Sequence, residues 1–355
     1  MKILIIGNMG YVGPGVVKQL RASYPDAELI GFDIGYFANR LTNAGLLPEV
    51  RLNSQIIGDV RDFPEDLLQG VDAVVYLAAI SNDPMGAKYE EITLDVNYRS
   101  CIRIARMARE AGAGSFVFAS SCSMYGLADQ NAKTEKDQLN PLTAYARSKV
   151  FAEQELEPLA TENFTITCLR FATACGMSDR LRLDLVLNDF VAGAIINKSI
   201  SILSDGTPWR PLINVLDMAR AIEWGVGREQ SNGGAFLAVN AGSNEWNCQV
   251  KDLARAVAEI VPGCEVQLNE NAAPDKRSYR VNFDLFAKLA PNHQPVHDLH
   301  ATIRDLFEGI TEMGLNDSKF RESKYMRLKI LSSLQEEGLL NENLSWTWQL
   351  TKVLQ

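Results

Sequence analysis

Lys2-Ile3-Leu4-Ile5-Ile6 runs directly into Gly7-Asn8-Met9-Gly10-Tyr11-Val12-Gly13, and this junction decides the fold. Continuous rather than alternating hydrophobicity predicts a strand covered on both faces, as in a parallel sheet. The glycines then let the chain turn sharply, approach an anion with its backbone, and pack a helix on the sheet without a Cβ. A pyrophosphate would meet the N-terminus of a helix opening at Gly13. The spacing is GxxGxxG rather than the general GxGxxG.

Outward from this junction, apolar runs recur at Glu28 to Phe32, Ala73 to Leu77, Ser115 to Ala119 and Thr165 to Leu169. Helical spacing fills the intervals at Gly13 to Ser23, Val96 to Ala111 and Thr143 to Thr161. Strands alternating with helices predict βαβ units and a doubly wound parallel sheet of Rossmann type, ending near Gly176. Beyond it, helical stretches at Asp184 to Ile196, Val215 to Gly225 and Gln249 to Ile260, with a short strand Ser201-Ile202-Leu203, predict a smaller mixed α/β lobe. The division expected is a dinucleotide-binding domain over 1–176 with returning segments from about 210–245, a substrate lobe over 177–315, and a tail over 316–355 of unassigned role.

A net charge of −9 on 355 residues, with 46% hydrophobic and 22% charged, describes a globular chain without the clustered Lys and Arg that a nucleic-acid backbone requires. Nucleic acid is therefore excluded as the expected partner. Six cysteines without a CxxC pair point to a reducing compartment, and the N-terminal apolar run is too short for a signal peptide or membrane span. A cytoplasmic protein with no membrane partner is the expectation. The three histidines, His293, His297 and His300, lie late in the chain and read as a solvated helical face; no spacing suggests a metal site.

Asp33 closes the second strand, where a carboxylate accepts hydrogen bonds from adenosine ribose hydroxyls and repels a 2′-phosphate, so NAD is expected over NADP. Asp59-Val60, after a further strand-like stretch, is placed to hold the adenine edge. Tyr145 and Lys149 stand four residues apart at the start of a helix, hence on one face and one turn apart. A nearby ammonium favours phenolate, which could take a proton from a sugar hydroxyl. Ser120-Ser121-Cys122-Ser123-Met124-Tyr125-Gly126 follows a strand at the carboxyl edge of the sheet, where open α/β sheets bind ligands.

The glycine run, Asp33, Asp59-Val60, Leu77-Ala78-Ala79, Asn97, Ser121 with Met124-Tyr125-Gly126, Tyr145 with Lys149, and Arg170 to Gly176 together resemble the extended short-chain dehydrogenase/reductases. Within them, the chain is similar over about residues 1–300 to the NAD-dependent nucleotide-sugar epimerases and dehydratases. The resemblance implies that NAD is held by Gly7, Met9, Gly10, Tyr11, Val12, Gly13, Asp33, Asp59, Val60, Leu77, Ala78, Ala79, Asn97, Ala119, Ser120, Tyr145, Lys149, Phe171 and Thr173. It also implies that Tyr145 is the base, that Lys149 lowers its pKa and binds nicotinamide ribose, and that Ser121 orients the sugar hydroxyl. Pairing of the helices over 96–111 and 143–161 into a four-helix bundle, giving a homodimer, is likewise implied.

Departures from the family pattern narrow the reaction. Dehydratases of the family carry Asp and Glu after the Ser or Thr, whereas Cys122 and Ser123 stand here, which disfavours dehydration. Relatives that epimerise at C3 or C5 use a Cys two residues after the Ser; Cys122 is one residue after Ser121. Thr173 replaces the usual Asn. A nucleoside-diphosphate sugar is the implied substrate, contacted by Ser81, Asn82, Ser121, Ser123, Thr173, Arg182, Arg210 and Arg277, with Arg180 and Arg280 as further diphosphate candidates. The favoured activity is C4 epimerisation through a transient keto sugar. A nucleotide-sugar dehydrogenase or keto-sugar reductase would use the same Ser, Tyr and Lys; a noncatalytic dinucleotide sensor would need Gly10 and Asp33 but no proton path.

Overall fold

A computed structural model describes residues 1–126, 131–202, 204–269 and 278–347. The first apolar run is β1 (Lys2–Ile6), followed by α1 (Gly13–Ser23), β2 (Glu28–Asp33), β3 (Ser54–Ile57) and β4 (Ala73–Tyr76). Two short helices, α2 (Asp83–Lys88) and α3 (Glu90–Leu94), precede α4 (Ser100–Glu110), β5 (Ser115–Ser121), α5 (Ala144–Leu156), β6 (Thr165–Phe171) and β7 (Thr173–Cys175). The second half contains α6 (Val186–Asn197), β8 (Ser199–Ile202), β9 (Trp209–Asn214), α7 (Val215–Gly227) and β10 (Phe236–Ala241). It closes with β11 (Asn247–Gln249), α8 (Val250–Ile260), β12 (Glu265–Leu268), α9 (Asp284–Leu289), α10 (Leu299–Glu312) and α11 (Arg327–Glu336).

A seven-stranded sheet in the order β10-β6-β5-β4-β1-β2-β3 is parallel throughout, so the chain has the expected Rossmann architecture with a C-terminal lobe. Both faces of this sheet are buried, which is why its strands read as unbroken apolar runs. Val16, Val17 and Leu20 of α1 and Met218, Ala219 and Ile222 of α7 cover one face. Ile104, Ala105 and Ala108 of α4 with Ala152 and Leu156 of α5 cover the other. The sheet does not stop near Gly176: β10 returns to pair with β6, register Phe236 to Ile166 through Ala241 to Phe171.

Local chemistry sets the helix ends. Thr143 caps α5, its Oγ1 accepting from Ala146 N at 3.2 Å. The helix gives way at Glu157 because Pro158 follows, which lacks the donor a helix interior needs. The stretch expected as one helix from Val96 starts as a wider turn over 95–99 before α4. Tyr279-Arg280-Val281 lies in no strand and makes only an isolated bridge from Val281 to Lys133.

In the second lobe, α6, α8 and α10 bury Val191, Leu253, Val257, Ile303 and Leu306 in one core beside the sheets β11-β9-β7 and β12-β8. The strand expected over 201–203 begins earlier, at Ser199; Leu203 lies outside the described residues. The tail is built into the molecule. Ile330, Leu331 and Leu334 of α11, with Leu340 and Leu344, pack on Ile80, Met85, Tyr89 and Ile92.

Candidate cofactor and active site

A cavity of about 900 Å³ opens at the carboxyl ends of β1, β2, β4 and β5, between the large sheet and the second lobe. At its cofactor end, Gly7 has φ +89°, and a Cβ there would lie 2.4 Å from Ala78 N. A Cβ on Gly13 would lie 1.9 Å from Asn8 O, so both glycines are demanded by the close approach of backbone. No side chain caps α1, and Pro14 occupies its first turn, which leaves the helix N-terminus open to an anion. Asp33 Oδ2 accepts from Met9 N at 2.9 Å and Oδ1 from Gly35 N at 2.8 Å. One carboxylate thus braces the glycine turn; burial pushes it above its ordinary pKa.

Gly7, Gly10, Tyr11, Val12, Asp33, Asp59, Val60, Leu77, Ala78, Ala79, Ala119, Ser120, Phe171 and Thr173 all border the cavity. A glycine cradle that admits no Cβ, an uncapped helix start and a carboxylate at the second strand's end fit a dinucleotide. Three residues expected on NAD stand back from the wall. Met9 reaches Asp33 through its backbone, Gly13 packs under Asn8, and buried Asn97 clamps Ile80, accepting from Ile80 N at 2.8 Å and donating to Ile80 O at 3.1 Å. Asp59 faces the cavity, but Arg61 Nε bonds both of its oxygens at 3.0 Å.

Farther along, Ser121 is the N-cap of the turn over 122–125, and its Oγ lies 2.9 Å from Ser123 Oγ. The neighbouring Ser121 hydroxyl draws the Tyr145 pKa down, while burial, the larger influence, raises it. Lys149 Nζ donates to Ala119 O at 2.7 Å and lies 4.5 Å from the centre of the Phe118 ring; burial lowers its pKa to about 8. In the free protein burial disfavours both charged forms, and one of the three Lys149 donors goes to a carbonyl. Cys122 is fully buried and directs its thiol to Arg170 O at 3.0 Å, away from the cavity.

On the substrate side, Arg182 is a wall residue whose fork is engaged. Its Nε donates to Asp184 Oδ1 at 2.6 Å and its Nη1 to Ser81 Oγ at 3.0 Å, while Asn82 Nδ2 donates to Asp184 Oδ2 at 2.7 Å. Ser81, Asn82, Ser123, Thr173 and Arg210 share this wall. Arg180 does not: it is fully buried and paired with Glu49 at 2.7 Å, which makes it a structural cation. Arg280 lies over the Trp209 ring, and Arg277 is outside the described residues. His293 and His297 are not on a solvated face; they lie 2.8 Å from Glu223 and 3.1 Å from Asp217 of α7. Among the described residues no group of His, Cys, Asp and Glu is placed to hold a metal.

Sequence reasoning passed over Tyr36, Phe37, Tyr279, Arg321 and Arg327, which also border the cavity, as does Asp83 beside Ser81 and Asn82. Tyr279 stood in a segment already singled out for its arginines. The tail residues carried no local signal, since only the packing of α11 brings them here.

An uncharacterized UDP-glucose epimerase of Bacillus subtilis is 30% identical over 235 residues, covering 62% of this chain and 71% of that protein. A dTDP-4-dehydro-6-deoxy-D-allose reductase of a Streptomyces species is 26% identical over 232 residues, covering 62% and 70%. Among solved structures, an NAD-dependent NDP-hexosamine 5,6-dehydratase of tunicamycin biosynthesis superposes with a TM-score of 0.74 at 23% identity, over 88% of this chain and 98% of that one, and so shares the fold. The family model of NAD dependent epimerases and dehydratases matches residues 3–242, from β1 past the end of β10. The chain therefore belongs to the NAD dependent epimerase/dehydratase family, and NAD is its cofactor.

Proposed function

We propose that this protein is an NAD-dependent nucleotide-sugar epimerase that inverts C4 through a transient keto sugar. The observation that carries the reading is that Ser121, Tyr145 and Lys149 share one cavity wall, with no carboxylate at either position after the serine. When bound, NAD supplies a two-electron acceptor and a positively charged ring. Gly7, Gly10, Tyr11, Val12 and Asp33 hold it, together with the backbone of Leu77 to Ala79. Ser121 orients the sugar hydroxyl toward Tyr145 Oη, which takes its proton and later returns it. Lys149 fixes the ribose beside them. Leaving-group protonation, which loss of water requires, finds no donor at Cys122, whose thiol is in the core, nor at Ser123.

Arg182, held rigid by Asp184 and Ser81, shapes the sugar pocket, and Arg210 takes the diphosphate with its planar donors. Arg277 belongs with Arg210 in this assignment. The dinucleotide domain spans 1–176 with β9, α7 and β10 returning to it, and the substrate lobe spans 177–315. Two copies pair through α4 and α5: Phe151 is 39% exposed and its ring lies tilted against that of Tyr98, which lines a groove with Ile102 and Met107. A monomer by sedimentation at micromolar concentration would remove the dimer. Its place is the cytoplasm, where the buried thiols of Cys101, Cys122, Cys168 and Cys175 stay reduced; among the described residues no helix is long and apolar enough to cross a membrane.

The test is a panel of nucleotide sugars followed by mass and proton NMR, with and without added NAD. A new stereoisomer of unchanged mass is expected. Loss of two hydrogens would make the protein a dehydrogenase, and loss of the elements of water a dehydratase.

A further inference from the structure

Arg327, the first residue of α11, is 2% exposed and borders the cavity, yet its Nη1 has no hydrogen-bond partner among the described residues. The rest of the side chain is fixed. Nη2 donates to Arg180 O at 2.8 Å, and the guanidinium carbon lies 4.1 Å from the centre of the Phe37 ring. Two other buried arginines stand near it, and each has a carboxylate: Arg180 is paired with Glu49, and Arg182 with Asp184. Among the described residues Arg327 has no such ion pair. A buried cation that borders a cavity and leaves a donor unmade is costly unless an anion completes it. Its pKa is lowered to about 9, chiefly by burial and then by Arg182, with Asp184 partly offsetting them and Arg180 adding to them.

Position identifies which anion. Phe37, against which the Arg327 guanidinium packs, lies four residues beyond Asp33, at the ribose end. The anion next to that ribose in a dinucleotide is its diphosphate. The segment delivering it is tied to the adenosine side: Trp346 Nε1 donates to Ile34 O at 2.8 Å, Arg61 Nη1 to Asn343 O at 2.6 Å, and Tyr36 Oη to Leu344 O. Arg210, the cation suited to the substrate's diphosphate, is on β9 in the other lobe.

We propose that Arg327 binds the diphosphate of NAD, so that the C-terminal segment from 316 to 347 is part of the cofactor site. This rests on NAD as cofactor and not on which sugar reaction follows. Isothermal titration of the full chain, freed of nucleotide, compares wild type with Arg327→Gln against NAD, ADP-ribose, adenosine and UDP. NAD and ADP-ribose should bind about tenfold or more weakly, with adenosine and UDP within about twofold of wild type. NAD binding unchanged within about twofold would overturn the proposal. So would an equal loss for adenosine, which would mean that the arginine only props Phe37 and Arg180, or a loss confined to UDP, which would give the group to the nucleotide sugar. Should Arg327→Gln fail to fold, Arg327→Lys keeps the charge but not the fork; NAD should then weaken about threefold or more with adenosine unchanged, and unchanged NAD affinity would again refute it. Absence of NAD binding in wild type would instead defeat the cofactor assignment itself.

Discussion

Tyr145 and Lys149 share one face of α5, with the Lys149 ammonium 5.6 Å from the centre of the Tyr145 ring and one of its three donors on Ala119 O. In the free protein burial, the larger influence, raises the pKa of the phenol, against the neighbouring Ser121 hydroxyl. Ultraviolet titration of NAD-free protein, wild type minus Tyr145→Phe, should show no phenolate below about pH 10, the ordinary tyrosine value. A phenolate signal near neutrality without NAD would contradict this.

Lys149 carries the opposite linkage. Its pKa in the fold is about 8, below the free value of 10.5, so the charged form is disfavoured in the native state. The unfolded chain binds the extra proton between these values, and stability gains as pH rises from about 8 to about 10.5. The cost below pH 8 is on the order of 3 kcal/mol, partly offset by the Ala119 bond. Lys149→Met should accordingly be the more stable protein in urea at pH 7, with the advantage shrinking by pH 10. An advantage that grows with pH would reverse the sign of this account.

Behind the serines, Arg170 and Glu153 form a buried pair, 2.6 Å apart and 8% and 5% exposed, and Glu153 also accepts from Ser120 Oγ at 2.5 Å. Arg170→Met leaves that carboxylate uncompensated and should lose about 3–5 kcal/mol by chemical denaturation. Replacing both, with Glu153→Leu, should recover most of it. If the double variant were as unstable as the single one, the loss would come from packing and not from an orphaned charge.

Much of the fold was legible because its strands are buried on both faces and its glycines serve backbone contacts; both leave local marks. β1 and α1 begin and end where the sequence places them. Ser121, Tyr145 and Asp33 were legible for the same reason, each sitting at a strand or helix end with a fixed offset. Residues whose position depends on distant packing were not. β10 joins the sheet only by pairing with β6, Arg180 is neutralised by Glu49 from a segment 131 residues away, and Arg327 reaches the cavity by the docking of α11. Offset in a helix placed Lys149 beside Tyr145, as the structure has it, but could not show that one of its donors would go to Ala119 O.

Cys122 offers a check on the reading of the serine turn. Its thiol is buried and its pKa is pushed up well above the ordinary value, so it is a packing group and not a proton donor. Cys122→Ala should keep kcat within about threefold while losing about 1–2 kcal/mol of stability from the vacated volume. A loss of turnover by a hundredfold in a folded variant would place the thiol in the chemistry.

In the function proposed above, Tyr145 Oη moves the substrate proton in a site that NAD occupies. Tyr145→Phe, which keeps the ring and removes only that oxygen, should be assayed on the nucleotide sugar that wild type converts, with bound NAD quantified in the same samples. Turnover should fall about 10²–10⁴-fold with NAD stoichiometry unchanged. Conversion within twofold of wild type at full NAD occupancy would contradict the account.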